Sequence, residues 1–215
     1  MKNLTKLLIF CLMVTMSVNC YSQTFGIKGG VNFANMSVSA SGMGVNLKSI
    51  TTFHAGPVAD FKLQDNLYFN TGLLFSLKGF KVEDATFEDV TGGTLHLNYL
   101  EVPLNLAYKF PIKEQTKFLI QAGPYLGYAL SGKAKSGGES VSVNFSEDGI
   151  KRFDYGLGFG AGVEFGQIVT SINYQVGLAN LNDDSTMDAK LKNKVFQISL
   201  AYMFGEAKKT PTPKK

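Results

Sequence analysis

Tryptophan is absent from this 215-residue chain, and its two cysteines, Cys11 and Cys20, both fall within the first 22 residues. With that N-terminal segment removed no thiol remains, so disulfides, a thiolate nucleophile and a cysteine-ligated metal are excluded. Charge is scarce as well: 18% of residues are charged, against roughly 25% in an average soluble domain. Only the N-terminus carries a long apolar run, and the mean hydropathy of +0.04 is too low for a bundle of membrane-spanning helices. Periodicity at helical spacing is nearly missing. The formal charge of +4 does not describe a basic protein. Lys2 and Lys6 lie in the leader, and Lys208, Lys209, Lys214 and Lys215 lie in the last eight residues. Between them, residues 24–207 hold 15 basic and 17 acidic side chains. No face could track phosphates, and no nucleic-acid partner is expected.

The N-terminus has a recognisable design. Lys2 and Lys6 form a positive region, and residues 7–18 form an apolar stretch of 12, too short to span a bilayer as a helix. Cys20 and Ser22 place small residues at the −3 and −1 positions before Gln23. This is the pattern of a cleavable secretory signal peptide. The expected organisation is a signal peptide over 1–22, a folded domain over 23–204, and a flexible Lys/Pro-rich tail over 205–215 containing Pro211 and Pro213.

What the rest of the chain has is alternation. Successive side chains of a strand point to opposite faces. Eight runs separate cleanly into two sets: 25–33, 53–61, 67–77, 100–110, 118–130, 155–165, 168–178 and 196–204. One set is apolar without a single charge. The other, with its flanking residues, holds Lys28, His54, Asp60, Lys62, Lys78, Glu101, Lys109, Asp154 and Glu164. A soluble lipocalin-like barrel would put the apolar set inside, around a ligand; a transmembrane barrel would put it outside. The aromatic positions favour the membrane. In an up-and-down meander, Phe25, Phe61, Phe69, Phe110, Phe118, Phe165 and Phe204 collect at one rim, and Phe33, Phe53, Phe75, Tyr128, Tyr155 and Phe196 at the other. Eight to ten residues between the girdles, at ~3.3 Å each and ~40° tilt, give roughly 20–25 Å, the height of a lipid-facing band. Connections alternate too: short at 64–66, 111–116 and 166–167, long and polar at 35–49, 82–94, 132–152 and 182–193. Short turns belong in the periplasm and long loops outside the cell. The expected fold is all-β: an eight-stranded antiparallel up-and-down transmembrane β-barrel with both termini in the periplasm.

Four stretches stand out: Phe53-His54-Ala55-Gly56, Asn98-Tyr99-Leu100-Glu101-Val102-Pro103-Leu104, Ala122-Gly123-Pro124-Tyr125-Leu126-Gly127-Tyr128 and Phe153-Asp154-Tyr155-Gly156-Leu157-Gly158. Together they resemble the outer-membrane protein beta-barrel domain family, also called PorT-like. The resemblance implies an eight-stranded barrel in the outer membrane of a diderm bacterium. Most members have no assigned activity; one branch is tied to a protein-secretion and gliding apparatus, and nothing in these residues singles it out. Ile198-x-Leu200-x-Tyr202-x-Phe204 resembles the last-strand signal read by the barrel-assembly machinery, with Tyr202 and Phe204 as its aromatic positions. It departs from that pattern in being followed by eleven residues.

Motifs for chemistry are few. Gly156–Gly162 fits a loose dinucleotide pattern, but its glycines alternate with Leu157, Phe159 and Ala161 as in a strand, where no helix opens. Glycines there make room for large inward side chains such as Tyr125 and Tyr68. No cofactor or metal is expected. The balanced inward charges are expected to pair, because a charge in a narrow barrel loses hydration and needs a partner. Lys28 with Asp60 and Lys78 with Glu101 are neighbours by register. Eight strands leave an interior that side chains fill, so a plug is expected rather than a pore. The expected function is non-enzymatic: an integral outer-membrane barrel whose partners are outer-membrane lipid, the barrel-assembly machinery, and an extracellular or envelope protein met by its loops. Two alternatives stand. One is a rim-sited, acyltransferase-like enzyme, which requires His54, Ser76 and Asp154 to converge. The other is the soluble ligand carrier.

Overall fold

A computed structural model describes residues 23–40, 47–82, 92–145, 149–183 and 189–204. The signal peptide and the C-terminal tail expected from the sequence lie outside the described residues. The elements are β1 (Gln23–Ala40), β2 (Leu47–Lys48), β3 (Ile50–Lys62), β4 (Leu67–Gly72), β5 (Leu74–Val82), β6 (Gly93–Lys113), β7 (Thr116–Ser136), β8 (Glu139–Ser142), β9 (Phe153–Phe165), β10 (Ile168–Gly177) and β11 (Ala189–Phe204). All pair antiparallel, and the wall closes on itself. β1 pairs with β3 on one side and with β11 on the other, Phe25 facing Phe204 and Phe33 facing Phe196. β4 and β5 form one stave between β3 and β6. From there the ring runs β6, β7, β9, β10, β11. Eight staves therefore make a barrel with no open edge, the arrangement that satisfies backbone polar groups in lipid.

The stave of β4 and β5 is interrupted at Leu73, whose N–H donates to the Pro57 carbonyl at 3.0 Å. The backbones come so close there that a Cβ on Gly56 would sit 2.1 Å from the Leu73 carbonyl oxygen. One end of the barrel is closed by tight connections at 63–66, 114–115 and 166–167. The other end carries the long connections.

The apolar set faces outward. Ile27, Leu126, Ile172, Ile198 and Leu200 are all exposed on the wall, and inward neighbours such as Asn32, Glu101, Asn173 and Gln197 are buried. Aromatic rings pair across neighbouring strands at both rims. Phe61 meets Phe69 and Phe110 meets Phe118 near the short turns; Phe33 meets Phe196 and Phe53 meets Phe75 near the long loops. Phe153, 6.0 Å from Tyr155, adds a ring at the second rim.

The long connections differ from the sequence expectation, because much of their length is strand. β1 continues past Phe33 to Ala40 against β11, and β7 continues past Tyr128 into a hairpin with β8. Gly137 and Gly138, both at positive φ (57° and 89°), form its two-residue turn. The alternation was lost from view because it inverts where the barrel leaves the bilayer. On β6, Leu97 and Tyr99 point inward and are buried, whereas from Leu100 onward the apolar residues point outward. On β11, Lys190 and Lys194 are exposed where Phe196, Ile198 and Leu200 continue the same face below them. Above the second girdle the outside is wet and the inside is an apolar cluster of Met36, Leu97, Tyr99, Ala129, Phe145, Ala179 and Leu181.

Candidate functional site: the barrel lumen and its mouth

The inward faces of β5, β6, β7, β9, β10 and β11 place one ion cluster in the upper half of the lumen. Lys78 Nζ lies 2.8 Å from Glu101 Oε2 and 3.2 Å from Asp154 Oδ2, with all three side chains fully buried. Gln175 donates to Glu101 at 2.6 Å; Asn193 and the Tyr125 hydroxyl donate to Asp154 at 2.8 and 3.2 Å. The ammonium also sits 4.3 Å from the Tyr125 ring centre and 5.2 Å from that of Tyr99. Room for Tyr125 comes from glycine: a Cβ on Gly156 would fall 2.7 Å from its ring.

A second cluster fills the end near the short turns. Lys109 Nζ reaches Asp60 and Glu164 at 2.6 Å each, and Lys117 reaches Glu164 at 2.7 Å. Asn70 donates to Asp60, and the Tyr68 ring centre lies 4.3 Å from the Lys109 ammonium. On the same inward face, Val58, Leu74, Ala201 and Met203 form a small apolar cluster.

Two of the expected lumen charges behave differently. Lys62 is exposed where β3 ends and lies outside both clusters; an exposed ammonium keeps its hydration and does not need a buried partner. Lys117, at the start of β7, takes a place in the lower cluster instead. Lys28 does not pair with Asp60. Both expected pairs have the same register offset, Lys28 standing opposite Gly56 and Lys78 opposite Leu97. The difference is competition, since Lys109 and Asn70 already hold Asp60. Among the described residues Lys28 has no direct ion pair; it lines two small cavities, of about 20 and 30 Å³, between the clusters. One cavity is bordered by Glu101, the other by Asp60, and each is large enough for a water.

His54 is buried, but not beside Asp154. Its Nδ1 lies 2.7 Å from Asn32 Oδ1 and its Nε2 lies 3.0 Å from Ser199 Oγ. Asn32 donates in turn to Ser76 Oγ at 3.2 Å. His54 and Ser76 thus stand opposite each other on β3 and β5, joined through the Asn32 amide, whereas Asp154 is engaged by Lys78, Tyr125 and Asn193. The three groups required for a rim-sited relay do not converge. The polar partners of the two networks, Gln175 and Asn193 at the Lys78 cluster and Asn32 and Ser199 at His54, have no signature in the sequence, because a single amide or hydroxyl on a strand makes no motif.

The mouth is closed by side chains. Phe145 is buried within the upper apolar cluster, and the Arg152 guanidinium covers its ring at 4.2 Å. Arg152 is fixed by donating to the carbonyls of Ala129 and Leu130, at 3.0 and 3.3 Å.

A closed eight-stave wall, apolar outside, girdled by aromatics and ionic within, defines an integral membrane barrel of the outer-membrane type. The chain belongs to the outer membrane protein beta-barrel domain family, whose model matches residues 21–183, and it is a protein of the outer membrane, embedded in its lipid. The match ends before β11, the strand that closes the ring. Among solved structures it is similar to Ail, the attachment invasion locus protein of Yersinia pestis, at 18% identity, covering 85% of this chain and 99% of that one, with a TM-score of 0.44. OprG from Pseudomonas aeruginosa gives 12% identity, 85% and 96% coverage, and a TM-score of 0.46. Neisserial surface protein A gives 15% identity, 85% and 99% coverage, and 0.45. A search of curated protein sequences finds no match.

Proposed function

We propose that this barrel is non-enzymatic and acts through what it displays: four segments at the long-connection end, facing the cell exterior, that bind an extracellular or envelope partner or serve an accessory or structural role in the envelope. The observation that carries this reading is the filled lumen. Two ion clusters and an apolar stopper occupy the path a solute would take, and the upper cluster uses its carboxylates to neutralise a lysine. What remains available to a partner is the rim, where the strands outlast the bilayer. The signal peptide would deliver the chain to the periplasm, where the barrel-assembly machinery would read Tyr202 and Phe204.

Topology tests the proposal. An epitope inserted between Gly137 and Gly138, where a Cβ at either position would have no atom within 4 Å, should be labelled on intact cells. A tag after Lys215 should be labelled only once the outer membrane is opened. Surface labelling of the C-terminal tag on intact cells would withdraw the outward assignment of the loops.

A further inference from the structure

The outward face of β11 carries Lys190, Lys192 and Lys194 at alternate positions directly beyond Phe196. Folding asks only that this face be polar once it leaves lipid, and the neighbouring β1 meets that need with Asn35 and Ser37, without charge. Lys194 stands opposite Asn35 of β1 and Val176 of β10, Lys192 opposite Ser37, and Lys190 opposite Ser39. Among the described residues none of the three lysines makes an ion pair. By contrast Lys151, at the same end, pairs with Asp183 at 3.4 Å. Spaced ~6.6 Å apart along one strand, three like charges repel one another and gain from an external anion.

Their height identifies that anion. Phe33 and Phe196, in ring contact at 6.1 Å, mark the edge of the hydrocarbon. Lys194 lies two positions from Phe196, which at ~3.3 Å per residue and ~40° tilt is about 5 Å. Lys194 therefore meets the headgroup layer, and the two lysines beyond it continue outward through that layer. We propose that Lys190, Lys192 and Lys194 form a ladder that binds the phosphate groups of lipid in the leaflet around the long-connection end. The ladder would anchor this side of the barrel against tilting and fix the level at which the loops stand. The occupant is a lipid rather than a soluble polyanion because the lowest rung adjoins the aromatic girdle, where a free polyanion would be pressed against hydrocarbon.

The inference rests on the long-connection end lying at the outer leaflet, which the epitope labelling above reads independently. The lipid contact itself is tested on the mature protein in detergent micelles, by native mass spectrometry during titration with lipid A. Wild type should retain the phosphorylated lipid at concentrations roughly a hundredfold below those needed by a K190Q/K192Q/K194Q variant, about fivefold per lysine. Retention should fall with added salt, and replacement of all three by Arg should restore it. Unheated gel mobility confirms that each variant is folded. Equal retention by wild type and the Gln variant would overturn the proposal. So would equal retention of dephosphorylated lipid A, or displacement of the lipid by soluble polyphosphate at the same phosphate concentration.

Discussion

Lys78 shows how much a single side chain carries here. It neutralises two carboxylates that, among the described residues, have no other cation in contact, in a fully buried setting. Lys78→Met should leave Glu101 and Asp154 as uncompensated buried charges and cost about 3–5 kcal/mol. Lys62→Met, at the exposed end of β3, should change stability by less than about 0.5 kcal/mol. Urea unfolding in lipid vesicles compares them, and equal effects would mean that the lumen is wet enough to screen its charges. The lipid face makes the opposite demand. Leu126 and Ile172 are exposed on the mid-wall, and Leu104 shares that face; Arg at any of them should cost about 2–4 kcal/mol in lipid. Near-zero cost at all three would reverse the assignment of inside and outside. Lys78 with Glu101 was legible from cross-strand register. Lys109 with Asp60 and Glu164 was not, because its side chain reaches across the lumen to β3 and β9, and register describes only adjacent strands.

The strands were legible for as long as lipid lay on one side. Every stave was visible as apolar–polar alternation, since a barrel wall in a bilayer has to separate the two sets. Beyond the girdle the same backbone continues, but the apolar residues switch faces, at Tyr99–Leu100 on β6 and at Val195–Phe196 on β11. A period with a phase reversal looks like a loop, and the sequence of 35–49 and of 182–193 has that appearance. The glycines of β9 give this element a ranked test. A Cβ on Gly156 would stand 2.1 Å from the Val176 carbonyl oxygen, and one on Gly162 2.3 Å from that of Thr170. On Gly158 the nearest atoms would be 3.7 Å away. Gly156→Ala and Gly162→Ala should therefore force backbone shifts costing about 1–3 kcal/mol, with Gly158→Ala close to neutral. Heat-induced mobility shifts on gels would order the three, and a Gly158→Ala defect as large as the others would show that the β9 backbone lies closer to its neighbours than this register allows.

Closure of the whole barrel depends on layers that back one another up. From the mouth inward, a solute meets Phe145 under Arg152, then the Lys78 cluster, then Lys28 between two water-sized cavities, then the Lys109 cluster. Each layer spans an interior that eight staves make barely wider than its own side chains. The purified protein in a planar bilayer should accordingly show no steady conductance. Phe145→Ala should remain silent as well, because removing the stopper leaves both ion clusters in place. Combining Phe145→Ala with Lys78→Met should admit water through the upper half but still stop at Lys109, Asp60 and Glu164. Conductance should appear only when the lower cluster is also dismantled, for example by Lys109→Ala with Asp60→Ala. A stable, large-conductance state in the unmodified protein would mean that the polar layers part under voltage. The barrel would then have to be regarded as a channel, and the weight placed on its displayed rim would move to its lumen.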